Sequence, residues 1–466
     1  MLTYELKKAP GLPLYEALYR CIREDILTGR LAANEKLPSK RALAQHLEVS
    51  KITVEGAYEQ LISEGYIRSR EKIGYFVEPN RESTKIDEIG TTSKKVKPTK
   101  IDGFSPTSPM VDLTANGPIR FPFSVWSKLQ RQVMLDLGKA LLEPLPNQGL
   151  WELRQAISCQ LWQFRGLRAG PENILIGAGT DFLYNLLIQL LGRDKHYAVE
   201  EPGYGKIRRI YAAAGAQCSG APMDRQGVIP QALGDAQVLH ISPAHHFPTG
   251  IVTTASRRQA LIRWVSEEKD RWIIEDDYDS EFRFHARPMA ALHTMDPDRV
   301  IYMNTFSKTL AAPIRISYMV LPDTLMARFQ RELGFYSCTV PSFEQYTLER
   351  FLSEGHFEKH INRMRKFYKI RRNRLLAAVA DCPVSRRLTI LEQDAGLHFL
   401  LKVDTELSDP ELLEKLKAMG IRVNTLGSYY HDGPPQTDTH TLVVNYSGLT
   451  DEAINELERI LQSLEP

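Results

Sequence analysis

Over the first 79 residues, apolar positions recur at helical spacing in three short runs. Leu14, Ala17, Leu18, Cys21 and Ile22 predict an amphipathic helix over about 13–28 that stops near Gly29. Pro38-Ser39 offers an N-cap, and Leu43, Ala44 and Leu47 form the apolar side of a second, shorter helix. Glu48-Val49-Ser50 makes a tight turn. Val54, Ala57, Tyr58, Leu61 and Ile62 then follow the spacing of a third helix, with Ser50 as its cap and Gly65 at its end. Next the period changes. Tyr66–Arg70 and Gly74–Val77 read as two strands around Glu71-Lys72-Ile73. Helix, helix, turn, helix and hairpin is the layout of an α+β winged helix-turn-helix.

Residues 80–108 break this texture. They are polar, rich in Ser, Thr, Lys and Pro, and without a sustained period, which reads as a linker. Extended at about 3.3 Å per residue, such a segment reaches tens of ångströms. From 109 to 466 short apolar runs alternate with helical segments, the pattern of an α/β domain, with a smaller C-terminal subdomain expected from about 375. No internal repeat is evident.

Composition narrows the class. The chain has 466 residues, 43% apolar and 25% charged, which excludes a mostly disordered chain, a collagen-like chain or a coiled-coil rod. No apolar run approaches the roughly 18 residues of a membrane span, and the charged opening MLTYELKKAP leads into no signal-like core. The five cysteines are far apart and form no C-x-x-C pair, so reduced thiols, no metal and a cytoplasmic location are expected. The net charge is only +2, and residues 1–80 hold twelve Lys and Arg against eleven Asp and Glu. A polyanion site must therefore come from the placement of charges.

That placement is suggestive in the first 79 residues. Lys51 and Thr53 sit at the start of the third helix, away from its apolar face, where a recognition helix enters the major groove. Lys40 and Arg41, with the backbone N–H groups of the second helix, can reach phosphates, and Arg68, Arg70 and Lys72 line the proposed wing. Each alone reads as a solvated charge; the ordered set points to double-stranded DNA. The segment 35–67, E-K-L-P-S-K-R-A-L-A-Q-H-L-x-V-S-x-x-T-V-x-x-A-Y-x-x-L-x-x-E-G-Y-I, resembles the GntR family of bacterial transcription factors.

The strongest chemistry lies in the large domain. Val300–Met303 is a buried-strand run followed by Asn304-Thr305-Phe306-Ser307-Lys308, and Trp272–Glu275 is another, ending in Asp276-Asp277-Tyr278. In an open α/β sheet both motifs fall at the carboxyl edge. A lysine, an acid and a phenol gathered there suit pyridoxal phosphate (PLP). A strand at Asn173–Gly177 leads to Gly179-Thr180-Asp181, which opens a helix able to bind phosphate, and Arg315 can add a charge-assisted bond. Asp181, being acidic, is given a backbone role only. Tyr204 follows the strand His196–Glu200 and could stack on a pyridine ring.

The ordered series G-T-D, E-P-G-Y, F-P-T-G, E-D-D-Y, F-S-K, R resembles the class I, fold-type I aminotransferase family over about 109–466. With the DNA-reading segment, the chain is similar to the MocR subfamily of GntR regulators, and its opening to the PLP-sensing PdxR-like group. The resemblance implies that Lys308 forms the Schiff base and that Asp276 faces the pyridine nitrogen. Tyr278 would contact O3′ and Tyr204 would stack, while Gly179, Thr180, Asp181, Ser307 and Arg315 hold the phosphate. It also implies a homodimer with swapped readers and a regulator that senses PLP, tied to vitamin B6 metabolism, or an amine or amino acid condensed with it. Two departures stand out. Phe247 in His245–Gly250 replaces the Asn that contacts O3′, and Thr441–Tyr446 lacks the arginine that binds a substrate carboxylate, for which Arg422 is a candidate substitute. At most partial transaminase activity is then expected. The alternative is a working aminotransferase carrying a DNA-binding arm.

Overall fold

The computed structural model describes residues 2–4, 13–70, 73–79, 111–115, 120–284, 290–394, 396–431 and 433–464. The linker expected at 80–108 and the wing residue Lys72 lie outside the described residues. Contacts divide the chain into two units, Met1–Ser105 and Pro106–Pro466.

In the first unit α1 (Leu14–Leu27), β1 (Lys36–Leu37), α2 (Lys40–His46), α3 (Lys51–Ser63), β2 (Ile67–Arg70) and β3 (Gly74–Val77) follow in order. The Ser39 Oγ accepts the Ala42 N–H and the Ser50 Oγ accepts the Thr53 N–H, so each serine satisfies an otherwise unpaired donor at a helix start. Leu18, Ile22, Leu43, Val54, Ala57, Tyr58 and Leu61 close a small core between the helices. Ile62, expected on that face, lies at its exposed margin. The two-residue β1 was not expected. It pairs with β3, giving a three-stranded sheet in the order β1-β3-β2.

The second unit runs β4 (Val111–Asp112), α4 (Phe123–Leu137), α5 (Trp151–Arg165), β5 (Ile174–Gly177), α6 (Thr180–Leu191), β6 (His196–Glu201), α7 (Gly205–Ala213), β7 (Gln217–Asp224) and β8 (Gly227–Val228). It continues with β9 (Val238–Ile241), α8 (Ala255–Glu267), β10 (Trp272–Asp276), β11 (Val300–Thr305), β12 (Ser317–Val320), α9 (Asp323–Glu332), α10 (Ser342–Ser353) and α11 (His356–Ala380). A smaller lobe is built from β13 (Leu388–Leu391), β14 (His398–Val403), α12 (Asp409–Ala418), β15 (Ile421–Arg422), β16 (Asn424–Thr425), β17 (Thr441–Asn445) and α13 (Asp451–Gln462). The strand expected from Asn173 starts one residue later, because Pro171–Asn173 forms a 3-10 turn.

Eight strands make the main sheet, in the order β5-β12-β11-β10-β9-β6-β7-β8. β11, β10, β9, β6 and β7 are mutually parallel. β12 is antiparallel to both β11 and β5, so β5 points the same way as the parallel set. The carboxyl ends of β5, β6, β9, β10 and β11 therefore meet at one edge, joined there by the amino end of β12. β5, β9, β11 and β12 are buried along their whole length, which explains why they are mostly apolar. Helices cover both faces. One face packs Tyr302, Tyr318, Ile174 and Ile176 against α5 and α10, and the other packs Ile274, Ile301, Met303 and Met319 against α6 and α9. The smaller lobe has its own antiparallel sheet, β13-β14-β17-β16, and also takes in β4, which pairs with β15. Among the described residues no helix is long and apolar enough to cross a membrane.

The face beneath α5 holds a buried ion pair. Arg165 Nε lies 2.8 Å from Asp277 Oδ2, with side chains 5% and 1% exposed, and the Tyr302 hydroxyl donates to the same oxygen at 2.6 Å. Arg165→Met strands a buried carboxylate and is expected to lower stability by about 3–5 kcal/mol, read as an earlier denaturant midpoint of the large unit. Adding Asp277→Asn to that variant should recover part of the loss.

Candidate functional site

The loops at the carboxyl edge of the main sheet enclose a cavity of about 280 Å³. Beyond β5, Gly179 adopts a φ of 87° and Thr180 begins α6, whose first-turn N–H groups have no helical acceptor. A methyl group on Gly179 would lie 2.2 Å from the Arg315 guanidinium, so the glycine is what lets that cation approach the backbone. Arg315 Nη2 lies 3.3 Å from the Ala178 carbonyl oxygen and 3.4 Å from Asp181 Oδ2. Lys206, in the first turn of α7, donates to the same carboxylate oxygen at 2.7 Å. Asp181 is thus held between two cations. Its side chain, given no part by the sequence, bridges them and leaves this end of the cavity with one net positive charge. Thr180 and Ser307 also line the cavity.

Asp276 ends β10 deep in the same cavity. Strand alternation puts it on the face of Ile274, whose cross-strand partner is His240 on β9. Asp276 Oδ2 accepts a hydrogen bond from the Tyr184 hydroxyl and lies 3.5 Å from His240 Nε2. His240 Nδ1 in turn pairs with the Tyr211 hydroxyl at 2.6 Å. Burial, reinforced by the Asp276 charge, pushes the Tyr184 phenol far above its usual value, which keeps it a donor. Asp276 Oδ1 is buried and has no hydrogen-bond partner.

Lys308 lines the cavity in the loop beyond β11. Burial pushes its amine below the ordinary lysine value, and the Asp279 carboxylate opposes that shift. Tyr278 shares the wall; its hydroxyl is 3.4 Å from His245 Nδ1, which is 2.9 Å from Asp279 Oδ2. Burial holds the Tyr278 phenol well above its usual value. At the mouth the exposed ring of Tyr204 meets Phe247 edge-on, with centroids 6.1 Å apart. Phe247 also lies 5.2 Å from His398 and from Tyr429. Burial drives His246 down to about 3 and His398 well below its usual value, so both rings are neutral.

The cavity therefore gathers Thr180, Asp181, Tyr204, Asp276, Tyr278, Ser307, Lys308 and Arg315, with Gly179 directly behind Arg315. Sequence reasoning missed Lys206, Tyr184 and His240. The signals were faint: a lysine two residues beyond Tyr204, a tyrosine one turn beyond Thr180, and one polar residue in the apolar run Val238–Ile241. Arg422, the candidate carboxylate ligand, lies away from the cavity, its guanidinium exposed and 3.6 Å from Asp112.

In the first unit Arg41 and Lys51 are exposed, while Thr53 is half-buried with its hydroxyl 2.8 Å from that of Ser50. Lys40 and Arg68 are otherwise engaged. Lys40 donates to Glu55 at 2.7 Å and lies over the Tyr75 ring. Arg68 donates to Glu78 at 2.9 Å and to Asn34 at 2.6 Å. Arg70 is exposed, its guanidinium 5.1 Å from the Phe76 ring centroid.

Residues 108–461 match the family described as aminotransferase class I and II, and residues 14–77 match bacterial regulatory proteins, gntR family. The chain is 35% identical to the uncharacterized HTH-type transcriptional regulator YdeL of Bacillus subtilis, over 98% of this chain and 97% of that one. It is 32% identical to the HTH-type pyridoxine biosynthesis transcriptional regulator PdxR of Corynebacterium glutamicum (88% and 87% covered). It is 30% identical to the probable rhizopine catabolism regulatory protein MocR of Rhizobium meliloti (99% and 96%). Among solved structures, a kynurenine aminotransferase of Pyrococcus horikoshii shares the fold, with a TM-score of 0.65 and 23% identity over 77% of this chain and 92% of that one. A winged helix-turn-helix followed by an aminotransferase fold, matched along nearly the whole chain by relatives named as HTH-type and MocR regulators, places this protein in the MocR subfamily of GntR-family transcriptional regulators.

Proposed function

We propose that the large unit binds PLP, that the small unit binds double-stranded DNA, and that the first event governs the second. The observation that carries the reading is one cavity joining Lys308, the unpartnered Oδ1 of Asp276 and a cationic end. PLP, when bound, supplies an aldehyde that a lysine amine can engage and a pyridine ring that withdraws electrons. The residues fit it. Lys308 offers an amine whose neutral form burial favours. Asp276 Oδ1 is open to a ring N–H, while Tyr184 and His240 fix the other oxygen. Tyr278 remains protonated and can donate to a ring oxygen, and Tyr204 offers a face for stacking. Thr180, Ser307, Lys206, Arg315 and the first N–H groups of α6 suit a phosphate.

The wall where an aminotransferase would hold a substrate carboxylate favours sensing over turnover. β17 carries no arginine, and Val443 packs with Leu400 and Leu426 against Phe247, Tyr429 and Tyr430. Apolar side chains offer a carboxylate nothing to replace its water. A relative named as a pyridoxine biosynthesis regulator supports PLP itself as the signal. Occupancy would act by stabilising one arrangement of the readers over another, in a cytoplasmic homodimer with exchanged readers.

The cofactor reading is checked by titrating cofactor-free protein with PLP and following visible absorbance. A saturable band is expected, absent in Lys308→Ala. Asp276→Asn should weaken binding roughly tenfold or more, the size of a lost charged hydrogen bond. A flat titration of the wild type would sink this half of the proposal. Because burial lowers the Lys308 value, its capture of PLP should reach half-maximal rate below the ordinary lysine pKa. Asp279→Asn removes a charge that favours the ammonium form and should move that midpoint lower still, as read from rate against pH.

For DNA, Arg41→Ala and Arg70→Ala should each weaken binding alike on all sequences and cut the slope of log K against log salt by about 0.9. Lys40→Ala should leave the slope nearly unchanged, its amine being engaged by Glu55. Equal effects of all three would contradict the assignment.

A further inference from the structure

The helix expected to enter DNA carries a side chain that charge and hydrogen bonding leave unexplained. Ile52, the second residue of α3, is 78% exposed. Single exposed apolar residues are ordinary on protein surfaces, so its position must make the case. The core face of α3 is Val54, Ala57, Tyr58 and Leu61. At about 100° per residue Ile52 points almost directly opposite the centre of that face. Lys51, beside it at the start of α3, is exposed, and so is Arg41 in the first turn of α2. Farther along, the outward face turns acidic. Glu55 is paired with Lys40, and Glu59 is exposed about 10 Å beyond Ile52 along the axis.

This charge order fixes how α3 can approach DNA. Phosphates are repelled by Glu59 and drawn to Lys51, Arg41 and the positive end of the helix dipole. The helix must therefore enter N-terminus first, which sets Ile52 at its leading tip. Ile52 can neither donate nor accept a hydrogen bond. In the major groove the one apolar group on a base edge is the C5-methyl of thymine.

We propose that Ile52 reads that methyl, and so specifies one T·A pair in the site each reader occupies. The inference rests on the DNA-binding reading of the first unit. Full-length protein with PLP would first be used to select binding sites from randomised duplexes. Each thymine of a selected site is then replaced singly by deoxyuridine, which lacks only the methyl. One replacement per reader should weaken binding roughly fourfold, the size of one buried methyl group. Ile52→Ala should lose that dependence and stop selecting thymine there, with the same salt slope as wild type on random-sequence DNA. The unchanged slope also reports an intact fold. If wild type binds its selected duplex but tolerates every uridine, or if Ile52→Ala keeps the same uridine sensitivity, the assignment to Ile52 is overturned while DNA binding stands. If no duplex is bound at all, both readings fall.

Discussion

Three acids in succession, Glu275, Asp276 and Asp277, lie buried at the end of the central strand β10, and the site depends on keeping them apart. Adjacent carboxylates in a low-dielectric interior raise one another's proton affinity. The pleat resolves this by turning Asp276 toward α6 and its neighbours toward the opposite face. There Glu275 accepts the N–H groups of Leu292 and His293, at 2.8 and 2.9 Å, and Asp277 meets Arg165 and Tyr302. Both flanking acids are tied into that face by these contacts, Glu275 through both oxygens and Asp277 through Oδ2. Of the three acids only Asp276 lines the cavity, and its Oδ1 has no hydrogen-bond partner there. A one-residue slip of β10 would exchange these environments and leave the wrong acid in the cavity.

Much of this was legible in the sequence for a geometric reason. A mostly parallel sheet brings the loops after its strands to one edge, so motifs that follow apolar runs must converge even when far apart in the chain. That logic located Thr180, Tyr204, Asp276 and Lys308 together. It could not find His240 or Tyr184, because a mid-strand or mid-helix residue reaches the cavity only through the register of neighbouring elements. The helices of the first unit were equally readable, since Ser39 and Ser50 cap them and their apolar spacing is regular. The fate of individual cations was not. Whether Lys40 faces solvent or Glu55 depends on how α2 crosses α3, and the interpretation of Arg422 likewise turned on a strand pairing that brings it beside Asp112.

In the reading head, Lys40 does structural work. Its amine joins Glu55 on α3 and the ring of Tyr75 on the hairpin, while the Tyr58 hydroxyl donates to the Pro38 carbonyl just before α2. Both helices of the motif and the wing are thereby fixed to one another through a few side chains around the turn. Such preorganisation limits what DNA must order on binding.

The acid held between Lys206 and Arg315 has a consequence for any phosphorylated ligand. A site lined by bare cations is tense when empty and grips the first anion that arrives. Here a tethered carboxylate already occupies the position of a counter-ion, so an incoming phosphate gains only the difference between two anions. The empty state is stabilised and the filled state is favoured less. Such an internal competitor shifts the half-saturation point upward, toward concentrations at which occupancy follows supply. In the PLP sensor proposed above, that acid would set the operating range.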